Sequence, residues 1–554
     1  MERLQHKVWP AGVPKDLPPF THTLDDNLRN AAARLPEKPA LVFYGAATSY
    51  AELDDEVTRI AGYLQSVAGV QPEDRVGLYM QNAPQFVSGY YGIIRAGGVV
   101  VPVNAMNLTE ETDFIVENAG IKVMLAAQEQ VAQLAPLRQA GHLSHVIVTA
   151  YADALPRPIP DFVPDEIAAP KAALPEGFTA WSDMLAANAP FSPAAITPES
   201  LCVLPYTSGS TGRGKGCMHT HQTVLHAVAC MTEWFGIGED DVYLAAAPMF
   251  HVVGMQAGMN SPIALGGTSV ILPRWNRDVA AALIREFRVT AWPTVPTAVI
   301  DFLNRDDLQK DDLASLRVIW GGGIAMPAAV AEKLHGMTGL SFLEGYGMTE
   351  TIAPATANPP HRPKTQCGGL PCIGTDVVIA DPETHVPLQP GEVGEILIAG
   401  PQVLLGYWQN PEADAESFVE IEGKRFLRSG DLGRQDDEGY IYIVDRLKRM
   451  INASGYKVWP TEVEAHLYRH PDIAEACVIG AEDPYRGQTV KAIVVLRPSA
   501  KMDAKGLATW AHDHMAAYKV PRLLEIVDEL PKSGTGKVLW RELQLAEDAK
   551  GKAK

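Results

Sequence analysis

The stretch Thr207–Gly216 reads Thr-Ser-Gly-Ser-Thr-Gly-Arg-Gly-Lys-Gly and follows an apolar run, Leu201–Leu204. It holds four glycines, four small hydroxyl side chains and one lysine. Glycine lets backbone N–H groups turn toward an anion, and hydroxyl and ammonium groups add donors and charge. The stretch therefore predicts a phosphate-binding loop. A flexible Gly/Ser turn without a ligand is the alternative interpretation.

The loop almost fits the P-loop of nucleoside triphosphatases. Gly209, Gly214 and Lys215 have the required spacing, but Gly216 stands where that motif has the Ser or Thr that holds magnesium. A P-loop ATPase is therefore a rival interpretation, although the sequence lacks the magnesium-binding hydroxyl of that motif.

Composition excludes several classes of protein. The 554 residues carry 47 basic and 66 acidic side chains, a formal net charge of −19, which argues against an extended nucleic-acid-binding face. No apolar run reaches the roughly 18 residues of a membrane span. The first residues lack the apolar core of a signal peptide. Six cysteines without a Cys-x-x-Cys pair indicate reduced thiols. These features together predict a cytoplasmic protein.

Hydrophobic periodicity alternates between helix and strand through the first half of the chain. Ser49 begins an amphipathic helix with a capping box, and strand-like runs lie at Arg75–Met80 and Val99–Val103. Such alternation predicts an α/β fold with parallel sheets covered by helices. The segment Tyr151–Phe178, rich in proline, alanine and acidic residues, is expected to lie on the surface.

The pattern changes at Asp445, where the basic run Asp445–Gly455 interrupts an acidic protein. The residues after it have a helix and short strands of their own, enough for a separate small domain. We therefore predict a large N-terminal domain of several subdomains with helix-covered sheets over residues 1–445. A small α+β C-terminal domain is predicted over residues 446–554. The charged tail from Glu542 is expected to fray.

Further motifs follow the loop in order: Ala247–His251, Gly321–Gly323, Glu344–Glu350, Arg428–Asp431 and Pro531–Lys537. With the loop, they resemble the adenylate-forming superfamily of acyl-CoA synthetases, luciferases and peptide-synthetase adenylation domains. The resemblance covers nearly the whole chain and is closest to the fatty-acyl-CoA and aryl-CoA ligases of bacteria. It implies that the small C-terminal domain is mobile and that ATP, Mg²⁺ and coenzyme A bind.

The resemblance implies a nucleotide site. Its loop residues would grip the β- and γ-phosphates: Thr207, Ser208, Gly209, Ser210, Thr211, Gly212 and Lys215. The residues implied for the adenine and ribose side are Gly321, Gly322, Gly323, Glu344, Gly345, Tyr346, Gly347, Met348 and Asp431. Arg446 resembles a second contact to the ribose or to a phosphate. Thr349 would contact the α-phosphate. Glu350 would bind Mg²⁺, a hard cation that offsets repulsion between anionic reactants.

The resemblance also implies acyl and CoA contacts. His251 would orient the acyl carboxylate, and Lys537 would enter the site and stabilise charge at phosphorus. These two residues form the predicted catalytic set with Thr349 and Glu350. Lys448 matches the family's hinge residue. The segment implied to line the CoA channel contains Ser454, Gly455 and Tyr456.

The residues at and after His251 predict a roomy apolar pocket for the acyl group, formed by His251, Val252, Gly254, Met255 and Gly258. Packing of an ordinary helix is the alternative. We therefore predict an ATP-dependent acid–CoA ligase that releases AMP and pyrophosphate, with medium- or long-chain fatty acids favoured over aromatic acids. A carrier-protein ligase, a luciferase-like oxygenase and a non-catalytic nucleotide-binding module are the other candidates. We expect no nucleic-acid partner and no transmembrane segment, and a homodimer is left open.

Overall fold

The computed structural model describes residues 3–207, 214–453, 456–483, 487–498, 500, 502–532 and 538–552. The chain divides into two compact units. The first comprises Met1–Asp376, Ala399–Phe418 and Glu438–Tyr440, and the second comprises Val377–Ile398, Val419–Asp437 and Ile441–Lys554. No helix in the described ranges is long and apolar enough to cross a membrane. The domain boundary expected after residue 445 stays a prediction.

The first unit is built on two sheets. Its strands are β1 (Pro39–Phe43), β2 (Ala46–Ser49), β3 (Arg75–Tyr79), β4 (Val99–Pro102), β5 (Val123–Ala127), β6 (His145–Thr149), β7 (Phe178–Ala180), β8 (Leu201–Val203), β9 (His219–Thr220), β10 (Val242–Ala245), β11 (Thr268–Ile271), β12 (Ala291–Thr294), β13 (Val318–Gly322), β14 (Phe342–Tyr346), β15 (Thr356–Ala357) and β16 (Leu370–Pro371).

Helices pack against these sheets. They are α1 (Leu24–Arg34), α2 (Tyr50–Ser66), α3 (Pro84–Arg95), α4 (Thr109–Ala119), α5 (Val131–Gln139), α6 (Asp165–Ala168), α7 (Trp181–Ala186), α8 (His221–Phe235), α9 (Ser261–Leu265), α10 (Arg277–Glu286), α11 (Pro296–Leu303), α12 (Ala328–Thr338) and α13 (Pro411–Ser417). A π-helical segment, Gly254–Asn260, leads directly into α9.

The nine-stranded sheet has the order β16-β15-β14-β13-β12-β10-β11-β1-β2. Its strands from β14 to β1 are parallel to their neighbours. The seven-stranded sheet has the order β7-β6-β5-β3-β4-β8-β9 and is parallel from β7 to β8. The prediction of parallel, helix-covered sheets is therefore confirmed.

Local sequence explains how the helices begin. Ser49 accepts a hydrogen bond from the Glu52 N–H, and the Glu52 carboxylate accepts one from the Ser49 N–H at 2.8 Å. This capping box satisfies two of the donors that a helix start leaves unpaired. The apolar stripe of α2 then faces the core through Leu53, Val57 and Ile60.

The second unit contains two five-stranded sheets and three helices among its described residues. Its strands are β17 (Asp376–Ala380), β18 (Gly394–Ala399), β19 (Phe418–Ile421), β20 (Lys424–Gln435), β21 (Ile441–Arg446), β22 (Ile451–Ala453), β23 (Tyr456–Val458), β24 (Ile473–Asp483), β25 (Gly487–Leu496) and β26 (Leu523–Ile526). Its helices are α14 (Pro460–Leu467), α15 (Ala504–His514) and α16 (Trp540–Lys552).

Two expectations from composition were wrong. The segment after Tyr151 is not only a surface excursion, because Tyr151, Val163 and Ile167 pack into the main core of the first unit. The tail does not simply fray, because Gln544 in α16 exchanges two hydrogen bonds with the backbone of Gly480, at 2.8 and 3.0 Å. In both segments a few well-placed side chains outweigh a polar composition.

Candidate active site

Three of the predicted motifs lie at one edge of the nine-stranded sheet. Ala247–His251 follows β10, Gly321–Gly323 ends β13, and Tyr346–Glu350 ends β14. These strands run parallel, so their carboxyl ends meet at the same edge. In open α/β sheets, this edge is where ligands bind.

The glycines that end β13 are required by the sheet itself. A Cβ on Gly321 would lie 1.6 Å from the carbonyl oxygen of Thr294, and a Cβ on Gly322 would lie 2.2 Å from that of Gly345. Gly323 has a φ of +95°, which favours glycine. Close strand packing thus explains the first two glycines without a ligand. Their predicted contact with adenine stays a prediction.

Glu344 is buried at the end of β14. Its carboxylate accepts hydrogen bonds from the backbone N–H groups of Met326, at 3.1 Å, and Gln366, at 2.7 Å. Burial raises the pKa of Glu344 to about 6, although these donors act in the opposite direction. Glu344 therefore ties two loops to the strand end, and its predicted contact with the nucleotide is not needed to explain its position.

The turn after Glu344 is tight. A Cβ on Gly345 would lie 3.0 Å from the carbonyl oxygen of Thr356, and one on Gly347 would lie 3.1 Å from Cα of Pro354. The backbone N–H of Met348 donates to the hydroxyl of Thr351 at 3.0 Å, which closes a 3₁₀ turn over Thr349–Thr351. Tyr346, at the start of this turn, is half-buried.

The two ends of the phosphate loop are held together. The Thr207 N–H donates to the carbonyl of Lys215 at 2.9 Å, and the Lys215 N–H donates to the hydroxyl of Thr207 at 3.2 Å. Both residues lie between β8 and β9, which pair antiparallel. Five predicted loop residues lie outside the described residues: Ser208, Gly209, Ser210, Thr211 and Gly212.

Tyr407 connects the loop to the predicted metal ligand. Its hydroxyl donates to Oε1 of Glu350 at 2.9 Å, and the ammonium of Lys215 lies 4.8 Å from the centroid of its ring. Burial, and next the charge of Glu350, raise the pKa of Tyr407 well above its usual value, so the hydroxyl stays a donor. Sequence reasoning missed Tyr407, because its only signal is a Gly-Tyr-Trp triplet far along the chain.

His219 contacts the backbone of the 3₁₀ turn Thr349–Thr351. Its Nε2–H donates to the carbonyl oxygen of Thr349 at 2.9 Å. Burial lowers the pKa of His219 to about 4, so the ring is neutral at physiological pH. Thr220 caps α8, and the neighbouring His219 holds the residue predicted to contact the α-phosphate.

The predicted acyl residues surround the start of the π-helical segment. Val252 and Met255 are buried, and the Met255 sulfur lies 3.6 Å from the hydroxyl of Tyr90. A Cβ on Gly254 would lie 2.2 Å from the carbonyl oxygen of Pro248. Gly258 is similarly packed against Ala245, and His251 is exposed. Core packing therefore accounts for these small residues, and the acyl pocket stays a prediction.

The remaining predicted residues belong to the second unit. Arg446 Nε lies 3.0 Å from Oδ1 of the buried Asp431, and the two residues face each other across β20 and β21. Lys448 lies in the 3₁₀ turn Leu447–Arg449, and Tyr456 begins β23, but the side chains of Lys448 and Tyr456 are outside the described part of the structure. Ser454, Gly455 and Lys537 also lie outside it.

Family models match both parts of the chain. The model described as AMP-binding enzyme matches residues 28–408, and that of the AMP-binding enzyme C-terminal domain matches residues 462–537. The chain belongs to the AMP-binding enzyme family. This family includes proteins that resemble the chain over nearly its whole length.

The chain is 35% identical over 546 residues to a long-chain-fatty-acid–CoA ligase of Bacillus subtilis, covering 97% of this chain and 96% of that one. It is 34% identical over 512 residues to a feruloyl-CoA synthase of Amycolatopsis, covering 92% and 96%. The crystal structure of ATP-bound MatB from Rhodopseudomonas palustris matches with a TM-score of 0.84 at 27% identity, covering 95% and 99%.

These matches confirm three predictions. The family is the adenylate-forming one, the fold is α/β with a smaller C-terminal domain, and the enzyme is an acid–thiol ligase. The roles of single residues within the family site stay predictions.

Proposed function

We propose that this ligase acts on medium- or long-chain fatty acids, using ATP and coenzyme A and releasing AMP and pyrophosphate. The observation that most directly supports the ATP-dependent activation of an acid is the shared carboxyl edge, which brings His251 and Thr349–Glu350 to one end of the nine-stranded sheet. The relatives that it matches include CoA ligases for both fatty and aromatic acids, so an aryl-CoA ligase is the second candidate.

In the first step, an oxygen of the acid's carboxylate attacks the α-phosphorus of ATP. Acyl-adenylate forms, and pyrophosphate leaves. Both reactants are anionic, so the site must supply positive charge and orientation. We assign Lys215 and the loop to the β- and γ-phosphates, Thr349 to the α-phosphate and His251 to the carboxylate. Tyr346 would pack on the adenine, and Asp431 would accept hydrogen bonds from the ribose hydroxyls.

The side chain of Glu350 fits a magnesium ion, because a largely buried carboxylate is a hard oxygen donor. The ion, when bound, would offset the repulsion between the carboxylate and the phosphates. Two contacts of the chain fix the position of Glu350. Its carbonyl oxygen accepts from the Leu404 N–H at 2.8 Å, and its carboxylate accepts from Tyr407.

In the second step, the thiol of coenzyme A attacks the acyl carbonyl, the thioester forms, and AMP leaves. No side chain becomes acylated. We propose that Lys537 acts only in the first step and that rotation about Lys448 then brings Ser454, Gly455 and Tyr456 toward the thiol arm. This division of labour makes the two half-reactions separable by mutation.

The residues after His251 favour an apolar acid. The segment 252–260 carries no charged residue. Its two large polar side chains, Gln256 and Asn260, are buried and hydrogen-bonded to each other at 3.0 Å. A substrate with a second carboxylate would need a cation here, which this segment does not provide.

A panel of acids tests the proposal. Octanoate, palmitate, ferulate and benzoate are supplied with ATP, Mg²⁺ and coenzyme A, and AMP, ADP and pyrophosphate are measured. We expect AMP that depends on both the acid and coenzyme A, with the highest kcat/KM for a fatty acid. A higher kcat/KM for ferulate would favour the aryl-CoA ligase, and ADP in place of AMP would contradict the reaction class.

The cytoplasmic location and the homodimer stay predictions. Cell fractionation tests the first, and light scattering during size-exclusion chromatography tests the second.

A further inference from the structure

Asn82 lies in the turn between β3 and α3, at the carboxyl edge of the seven-stranded sheet, and is 1% exposed. Its amide nitrogen, which carries two N–H groups, lies within hydrogen-bond distance of three carbonyl oxygens, those of Ala247 at 2.9 Å, Leu272 at 3.1 Å and Ala245 at 3.3 Å. Its amide oxygen accepts from the Met249 N–H at 2.7 Å. One buried side chain thus contacts four backbone groups.

These four groups surround the motif that carries His251. Ala245 is the last residue of β10, and Leu272 directly follows β11. Ala247 and Met249 belong to the turn after β10, in which the His251 N–H donates to the carbonyl of Pro248 at 3.0 Å. Asn82 therefore joins two strand ends to this turn.

The opposite side of the turn is equally constrained. A Cβ on Gly254 would lie 2.4 Å from the carbonyl oxygen of Ala247 and 2.2 Å from that of Pro248. The backbone of the turn is thus held between the Asn82 amide on one side and the first residue of the π-helical segment on the other. These contacts restrict the backbone conformation of the residues that lead to His251.

We propose that Asn82 is a positioning residue for the acyl site: it fixes the turn 247–249 and, through it, the place of His251 and the start of the π-helical segment. The expected effect on binding of the fatty acid rests on the function proposed above. The expected effect on the position of the turn 247–249 does not. An amide suits this position, because it offers two N–H donors toward the surrounding carbonyl oxygens and an acceptor toward the Met249 N–H.

The test uses Asn82→Asp, which keeps the size of the side chain but replaces the donor with a negative charge facing carbonyl oxygens. The chain offers a matched control in Asn358, which is also fully buried. Its amide nitrogen donates to the carbonyl oxygens of Glu344, at 3.1 Å, and Cys367, at 2.7 Å, and its oxygen accepts from the Lys364 N–H at 2.8 Å. Asn358→Asp therefore makes the same chemical change next to β14.

In steady-state assays, we expect Asn82→Asp to raise the KM for the fatty acid about tenfold or more and to leave the KM for ATP within about twofold, because misplacement by a fraction of an ångström affects the nearest reactant first. We expect Asn358→Asp to raise the KM for ATP and to leave the KM for the fatty acid within about twofold. A parallel rise of both KM values in Asn82→Asp, or no change in the KM for the acid, would overturn the proposal.

Hydrogen exchange measured by mass spectrometry gives a readout that does not need turnover. We expect faster exchange in peptides covering residues 245–258 in Asn82→Asp, and unchanged exchange there in Asn358→Asp. Unchanged protection of 245–258 in the Asn82 variant would overturn the role of Asn82. If the wild-type protein makes no acid-dependent AMP, the proposed function fails, and exchange still decides the role of Asn82. Asn82→Ser, which keeps one donor, replaces the Asp variant if that one does not fold.

Discussion

The hydroxyl of Tyr407 donates to the carboxylate of Glu350 at 2.9 Å, and both groups are buried. The ring of Tyr407 also lies beneath the ammonium of Lys215. One side chain therefore joins the base of the phosphate loop to the residue proposed to hold Mg²⁺. Residues that orient a metal ligand usually matter nearly as much as the ligand itself.

Tyr407→Phe keeps the ring below Lys215 and removes the hydroxyl that donates to Glu350 and that also interacts with the Ser417 side chain. We expect the Mg²⁺ concentration that gives half-maximal rate to rise about tenfold, the lower end of the usual effect of such substitutions. A magnesium titration at saturating ATP and acid measures this. Tyr468→Phe, on an exposed tyrosine of the second unit, is the control, and an unchanged magnesium dependence in Tyr407→Phe would contradict the link.

Two buried histidines predict a loss of stability in acid. Burial lowers the pKa of His219 and of His221 to about 4, from 6.5. Between these values the unfolded chain binds more protons than the folded one, so stability is full above pH 6.5 and falls as the pH drops toward 4. Complete acidification would lower the free energy of unfolding by up to about 3 kcal/mol for each histidine, relative to neutral pH, at roughly 1.4 kcal/mol per pKa unit.

His221→Asn tests this sign. Nδ1 of His221 accepts from the Leu24 N–H at 3.1 Å, and the oxygen of asparagine offers a replacement acceptor without a titrating ring. We expect the melting temperature of the variant to fall less between pH 7.5 and pH 5 than that of the wild type. Glu344, with its pKa raised to about 6, has the opposite sign, and the comparison in the same buffers cancels its effect. Equal losses in the two proteins would refute the assignment.

The glycines of β13 predict a contrast between two Gly→Ala substitutions. Gly321→Ala places a Cβ 1.6 Å from a backbone oxygen of β12, so we expect a loss of about 3 kcal/mol or more. Gly336 lies in α12, and a Cβ there meets nothing within 4 Å, so Gly336→Ala should stabilise the protein by about 0.5–1 kcal/mol. Thermal unfolding without nucleotide measures both. A harmless Gly321→Ala would show that strand packing is not what requires glycine there.

Lys537→Ala should separate the two half-reactions. We expect adenylate formation, measured by pyrophosphate release, to fall at least about a hundredfold, because a cation at the α-phosphate acts only in that step. Thioester formation from supplied acyl-adenylate should persist. Lys532→Ala is the control, since Lys532 is paired with Glu475 at 2.6 Å on the surface. Equal losses in both half-reactions of Lys537→Ala would remove Lys537 from its proposed role.

Much of this site could be predicted from the sequence, because its motifs are local. The loop Thr207–Gly216 and the turn Glu344–Glu350 can be recognised from glycines and hydroxyl side chains that lie within ten residues of each other. The alternation of strands and helices predicted parallel sheets, and parallel strands bring the motifs at their ends to one edge. The side chains that support these motifs were not predictable in this way.

Asn82 and Ala247 are 165 residues apart, and Glu350 and Tyr407 are 57 apart. Such contacts leave no periodicity or spacing in the sequence, because they arise only when distant segments of the chain pack together. The resemblance assigned the glycines at 321 and 322 to a ligand, and that contact stays a prediction, but the neighbouring strands alone require glycine at both positions. The sequence shows that a turn contains glycine, but it does not show whether a ligand or a neighbouring strand requires the glycine.

The measurement that tests the adenylate most directly follows the oxygen atoms. A fatty acid labelled with ¹⁸O in both carboxylate positions is converted with ATP, Mg²⁺ and coenzyme A, and the products are analysed by mass spectrometry. We expect AMP to carry one ¹⁸O atom and the thioester to carry the other, because the carboxylate attacks the α-phosphorus. Unlabelled AMP, or label transferred to inorganic phosphate with release of ADP, would contradict an acyl-adenylate intermediate.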